Sequence, residues 1–277
     1  MQISSTTLPS PPGNIGWRNA LTYRLKAIGR RLLSTVALAL PLAFALQSAA
    51  WGANFRLAAL CGGFNTLNSR IRDGRVAKEQ AQEQLGKLIG QIRSEYYASG
   101  GPDYPESTWV FPVQGYDVKA IGGIDDKDYQ LGGYDYLDGN RHAGHPSLDI
   151  FIRDRHQRGL DDRTGQPVQV LSITGGVVVA LEKQWDPACD LRGGKYVWIY
   201  DPAAAVLVYY AHNSEVLVEV GDLVRPGDIL ARVGRTGKNA WPRRSPTHLH
   251  LTCLSLATGR PVPRNIYREL VGSRSLL

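Results

Sequence analysis

Two short segments far apart in this chain carry the residue types from which a metal-dependent reaction centre is built. One is His248-Leu249-His250 near the C-terminus. The other is His145-Pro146-Ser147-Leu148-Asp149, much earlier in the chain. On a β-strand, residues two apart share a face, so His248 and His250 would project together. His145 and Asp149, four apart, suit either one turn of helix or the two ends of a tight connection. Two imidazoles and one carboxylate are a catalytic zinc set, with three protein ligands and a fourth position open to water. A further histidine beside such a metal would stand where a general base or an oxyanion donor is needed. The H-x-H pattern is weak by itself, and a lone His145 or His156 is more often a hydrogen-bonded surface histidine, so the surrounding sequence must decide.

The elements that have to position these residues are mostly strands. Beyond Ser99-Gly100-Gly101-Pro102, which reads as a boundary, apolar runs recur at Trp109–Val113, Leu148–Ile152, Val168–Ile173 and Val177–Leu181. They continue at Tyr196–Tyr200, Val206–His212, Ile229–Val233 and His248–Leu254. Short strands broken by Gly, Pro and Asp predict an antiparallel sandwich or barrel. Upstream, Ala81, Leu85, Leu88, Ile89, Ile92 and Tyr96 follow a helical period over Arg75–Tyr97. This helix is expected to brace the strand domain; the competing reading is a regulatory or partner-binding arm. Asp154-Arg155-His156 and Asp161-Asp162 fall in a Gly/Arg/Asp-rich connection and are expected to be solvated loop residues.

The ordered motifs are more specific than any one of them. The H-x3-D of His145 and Asp149 is followed by Tyr210-Ala211-His212, by two V-x-x-G-D segments at Val218–Asp222 and Val224–Asp228, by Gly234-Arg235-Thr236-Gly237 and by Thr247-His248-Leu249-His250. This series, from about Trp109 to Cys253, resembles the lysostaphin-type peptidase family, zinc endopeptidases that cut peptide cross-links in bacterial cell walls. The resemblance implies that His145, Asp149 and His250 are zinc ligands and that His212 and His248 are catalytic histidines that do not bind the metal. It also implies Zn2+ as cofactor and peptidoglycan stem peptides as substrate. Two departures stand out: Ser147 replaces the family's usual glycine, and a long polar loop, Gly122 to Gly144, precedes His145. Arg243 and Arg244 could pair with muropeptide carboxylates, with solvated loop arginines as the plainer reading. Because some family members lost their zinc and became activators of other wall hydrolases, an exported non-catalytic activator is the alternative. The twin V-x-x-G-D turns also resemble biotinyl/lipoyl carriers, but the lysine hairpin of those carriers is missing. No G-x-S-x-G, P-loop or Rossmann signature occurs.

The expected organisation is mainly β: an antiparallel sandwich or barrel-like peptidase domain with an N-terminal leader and an α-helical arm. Its bounds are a signal peptide or membrane anchor at 1–50, a helical arm and linker at 51–101, the zinc peptidase domain at 102–256 and a tail at 257–277. The leader carries Arg18, Arg24, Lys26, Arg30 and Arg31, no acidic residue, and then the apolar run Leu32–Leu46. A basic segment, an apolar stretch and small residues after it describe an export signal. The competing reading is an uncleaved anchor, with membrane contact through residues 32–53. Either way the rest of the chain is expected to be exported to the periplasm or cell envelope. The formal charge of the 277-residue chain is +7. Without the leader's five basic side chains, 27 basic residues face 25 acidic ones, a net of +2, so the charge is no argument for nucleic acid. Of the three cysteines, Cys189 and Cys253 could pair in an oxidising compartment, although an odd count leaves the choice open. Cys61 follows Leu60, which is too large for a lipoprotein signal. Cys253, three residues past His250, should face away from the site.

Overall fold

Why the strands of this chain are so uniformly apolar becomes clear from what covers them. The computed structural model describes residues 55–123 and 128–277, which belong to one compact unit. The leader at 1–50 and the residue 32–53 segment lie outside the described residues. Among those described, no helix is long and apolar enough to cross a membrane.

The main sheet is antiparallel. It runs in the order β1 (Leu148–Phe151), β9 (His248–Ser255), β5 (Val206–Asn213), β4 (Lys195–Asp201), β3 (Gly176–Glu182) and β7 (Leu223–Val224), with β10 (Val262–Pro263) also pairing with β9. A second sheet is formed by β2 (Gln169–Leu171), β8 (Ile229–Arg232) and β6 (Glu215–Val216). The protein is thus mainly antiparallel β, with two sheets face to face and no closed barrel. Between the sheets lie Val170, Leu230 and Ala231 from the small one against Val178, Val197, Ile199, Val208, Leu249 and Leu251 from the large one.

The opposite face of the large sheet is covered as well. A helix over residues 55–72, α1, and a second, α2 (Lys78–Ala98), set Leu57, Phe64, Leu67, Leu85, Ile92 and Tyr96 against Tyr196, Trp198, Tyr200 and Leu207. Successive strand residues point to opposite faces. Val197 and Ile199 therefore enter the inter-sheet core while Trp198 and Tyr200 meet the helices, and both sets must be apolar. The expected helix appears as α2, with the anticipated face buried. α1 was not anticipated, although Leu57, Cys61, Phe64, Leu67 and Ile71 keep a helical period; its first turn adjoins the apolar leader, which blurs the pattern.

Trp109–Val113 differs from expectation. It forms single bridges, Val110 to Arg274 and Val113 to Val170, and no strand, because Pro112 has no N–H for a ladder. The tail is tied in: β10 extends β9, the short helix α3 (Tyr267–Gly272) buries Leu270, and the Phe111 N–H donates to the Arg274 carbonyl at 2.9 Å. All three cysteines are free, and Cys253 lies in the inter-sheet core. Burial pushes the Cys61 and Cys253 thiols up to about 12, so both stay protonated.

Candidate metal centre

Strand register assembles three of the five histidine and aspartate positions. In the β1–β9 pairing Asp149 stands opposite His250 and Phe151 opposite His248, and in the β9–β5 pairing Ala211 stands opposite His250. Leu148, Ile150, Leu249 and Leu251 fill the inter-sheet core, so the alternation turns Asp149, His248 and His250 to the helix-covered face. His145 is not on a helical turn. It lies in the connection before β1, bridged to Gln130, and its ring reaches over Asp149.

The ligand-type atoms converge. His250 Nδ1 is 2.9 Å from Asp149 Oδ1, His145 Nε2 is 3.4 Å from Asp149 Oδ2, and one such atom from each of the three residues lies within 4.8 Å of the others. Tetrahedral zinc, with bonds of about 2.0–2.2 Å, holds neighbouring ligand atoms about 3.3 Å apart. Two imidazoles and a carboxylate that converge within 4.8 Å are a donor set that could hold such an ion.

His212 and His248 flank the cluster. Their ring centroids are 4.9 Å apart, and His212 is 5.3 Å from His250. His212 Nδ1 meets the Thr236 carbonyl at 2.8 Å and His248 Nδ1 meets the Pro246 carbonyl at 2.7 Å. A carbonyl only accepts, so both rings carry their hydrogen on Nδ1 and keep an Nε2 lone pair. His145 Nδ1 likewise faces a backbone carbonyl, that of Asp128 at 3.2 Å, while its Nε2 faces Asp149. His212, next to last in β5, has φ of 67°, a left-handed conformation costing a non-glycine residue about 1–2 kcal/mol. Its neighbours hold it there: the His212 N–H donates to the Gly193 carbonyl, and the Asn213 amide donates to the Tyr210 and Lys195 carbonyls.

The G-R-T-G segment positions both flanking histidines. The Thr236 hydroxyl donates to the Asn213 carbonyl and accepts from the Lys195 N–H, joining β4, β5 and the loop beside His212. Gly194, at φ +64°, lets that loop approach, since a Cβ there would lie 2.3 Å from the Thr236 carbonyl carbon. Arg235 donates to the carbonyls of Trp241, Pro242 and Ser245, fixing the approach to β9. Asp154 and Asp161 correct the sequence reading, being buried rather than solvated. Asp154 accepts from the Arg158 and Gly159 N–H groups and from the Thr247 hydroxyl, and Asp161 accepts from Arg163 and Tyr116. In sequence they look like loop acids. Their partners combine near neighbours, the Arg158 and Gly159 N–H groups and the Arg163 side chain, with Thr247 and Tyr116, which are distant in the chain.

Charge in the cluster is strongly biased. Burial pushes the Asp149 carboxyl up, but hydrogen bonds from His145 and His250 outweigh it and hold it well below the usual carboxylate range. The hydrogen bond to Asp149 raises His145, against burial. Burial lowers His250, and burial with His248 and His250 alongside holds His212 well below the usual imidazole range.

A cavity of about 100 Å³ adjoins the cluster, lined by His145, His212 and His250 together with Tyr209, Arg192 and His142. His142 was not singled out in the sequence; its ring meets that of Tyr134 at a tilt of 60°, with centroids 4.8 Å apart. The described part of the Gly122–Gly144 loop forms one wall. Tyr136 stands edge-on to Trp198 and donates to the Asn68 side chain on α1 at 2.9 Å.

Residues 155–262 match the family model described as Peptidase family M23. This part of the chain, which holds His212, His248 and His250, is similar to that peptidase family, the lysostaphin-type family whose motifs the sequence resembles. His145 and Asp149 precede the matched residues. The chain is similar to a zinc-containing peptidase from Vibrio cholerae (23% identity over 56% of this chain and 39% of that one, TM-score 0.34). It is similar also to a candidate glycyl-glycine endopeptidase, LytM, from Ruminococcus gnavus (20%, 82% and 89%, TM-score 0.41). A third likeness is to the antimicrobial peptidase lysostaphin from Staphylococcus simulans (22%, 51% and 47%, TM-score 0.34). The chain thus spans about two fifths of the first relative and about half of the third.

Proposed function

We propose that this protein is an exported zinc metalloendopeptidase hydrolysing peptide cross-links of bacterial peptidoglycan, with His145, Asp149 and His250 as metal ligands and His212 and His248 as catalytic groups. The observation that carries the reading is the meeting of a His/Asp/His set with two further histidines, each anchored through Nδ1 to a backbone carbonyl, with His248 Nε2 3.6 Å from Asp149 Oδ2. A zinc ion held by the three ligands supplies Lewis acidity toward a carbonyl oxygen and a nucleophile at neutral pH. His212 or His248 takes a proton from the attacking water at Nε2 and returns it to the leaving amine. The other histidine steadies the oxyanion. Their Nδ1 bonds to the Thr236 and Pro246 carbonyls orient both rings and leave Nε2 of each for this chemistry. The periplasm or cell envelope is the compartment this substrate demands, and residues 1–50 are the export segment. The cavity wall formed by Tyr134, Tyr136 and His142 suits a slender peptide better than a folded protein.

The test is cleavage of purified cross-linked muropeptides by the full chain. Conversion to monomers, lost with a chelator and restored by added zinc, is expected, because these ligands survive metal removal. A chain that cleaves nothing but stimulates a partner wall hydrolase, equally with His212→Ala, would replace this reading by the activator.

A further inference from the structure

Four histidines line the centre, and three are held in the same way, Nδ1 against a backbone carbonyl. His250 is the exception. Its Nδ1 faces Asp149, and its Nε2 lies 2.9 Å from the Ser147 hydroxyl, which lies 2.5 Å from the Thr252 hydroxyl. Thr252 Oγ1 is itself 3.5 Å from His250 Nε2. Ser147 and Thr252 are 2% and 3% exposed, so both hydroxyls are shielded from bulk solvent. The pair is built by register: Leu148 opposite Leu251 and Asp149 opposite His250 bring the residue before β1 beside Thr252.

We propose that the Ser147 hydroxyl, backed by Thr252, is a positioning group that lets His250 offer Nδ1 to a metal ion. The proposal rests on the metal reading above. A carbonyl in this place would force the hydrogen onto Nε2 permanently, and an apolar side chain would leave a buried Nε2 unpaired. A hydroxyl both donates and accepts. With the Nδ1 hydrogen directed at Asp149, Ser147 donates to Nε2. With Nδ1 stripped for a metal, the ring carries its hydrogen on Nε2, Ser147 accepts it, and the serine hydrogen turns to Thr252. The ring stays neutral throughout, so no net proton is gained or lost by His250 in the exchange. The serine that departs from the family's usual glycine thus acquires a task. Thr252, two residues past His250 on the same face of β9, completes it.

The experiment uses the full chain and zinc itself, with affinity read by competition against a chromophoric chelator. Groups that orient a metal-binding histidine change metal affinity by about 10- to 100-fold when removed. Ser147→Ala is expected to weaken zinc binding by that amount, and Thr252→Val, of nearly the same shape, by less. Nitrogen-15 spectra of the zinc-loaded protein should show a slowly exchanging hydrogen on His250 Nε2 that exchanges faster in Ser147→Ala. Circular dichroism of the metal-free variants separates this from unfolding; should Ser147→Ala fail to fold, Thr252→Val carries the test with Ser147 in place. Folded variants that bind zinc within twofold of wild type, with unchanged His250 signals, would overturn the proposal and leave the metal reading intact. A wild-type chain that holds no zinc would overturn both.

Discussion

The two halves of the centre are built by different means. His212, His248 and His250 stand on β5 and β9, adjacent strands at the middle of a sheet packed on both faces. His145 stands on a connection, held by one bridge to Gln130 and one contact to the Asp128 carbonyl. The strand-borne half lies within the residues matching Peptidase family M23, and the loop-borne half precedes them. A strand position is fixed by a whole ladder and by two cores, so its side chains arrive already placed. A loop position depends on a few local bonds, and here on aromatic residues that fasten the loop to α1 and to Trp198. Asp149 joins the halves, being the second residue of β1 and the acceptor for both His145 and His250.

The largest expected effects come from removing one residue from each role. His250→Ala and His145→Ala should abolish zinc retention. His248→Ala and His212→Ala should keep the metal but lower turnover by about two to four orders of magnitude. Metal content and muropeptide release, measured on the same preparations, separate the two groups. Zinc lost equally from His248→Ala and His250→Ala would show that ligand and base have been exchanged in this assignment.

A smaller effect probes the loop. Tyr136→Phe removes the hydroxyl that reaches Asn68, leaving the ring against Trp198, and should cost about 1 kcal/mol in denaturant unfolding. If the loop-borne half depends on this fastening, amide exchange should quicken over residues 128–145 and stay unchanged in β5 and β9. Uniform quickening in both would remove the contrast between the halves.

The smallest effect serves as a control away from the centre. Arg163 beside Asp161 lowers that carboxyl to about 2, below its unfolded value of about 3.9. A depressed carboxylate stabilises the fold above the unfolded pKa, and the contribution disappears as pH falls through the folded one. Asp161→Asn should therefore cost about 1 kcal/mol near pH 6, after allowance for screening by solvent. The gap from wild type should close between pH 4 and 2 on acid titration of stability, with zinc affinity at neutral pH unchanged. A gap that persists at pH 2 would assign the loss to packing.

Much of this protein could be read from its residues, for identifiable reasons. The strands that hold His212, His248 and His250 were legible because a strand buried on both faces must be apolar throughout, and because H-x-H on a strand shares one face by geometry. The helix α2 was legible by its period. The sequence also supplied every member of the histidine and aspartate set. What it left open was whether His145 and Asp149 sat on a helical turn or a tight connection. That depended on Asp149 pairing with His250 across strands a hundred residues apart. Likewise, Asp154 and Asp161 look like solvated loop acids until folding brings them to Thr247 and Tyr116. Ser147 read only as a departure from a motif. Its contact with His250 and Thr252 exists because antiparallel register sets the residue before β1 beside the residue two past His250, and no local pattern encodes a register.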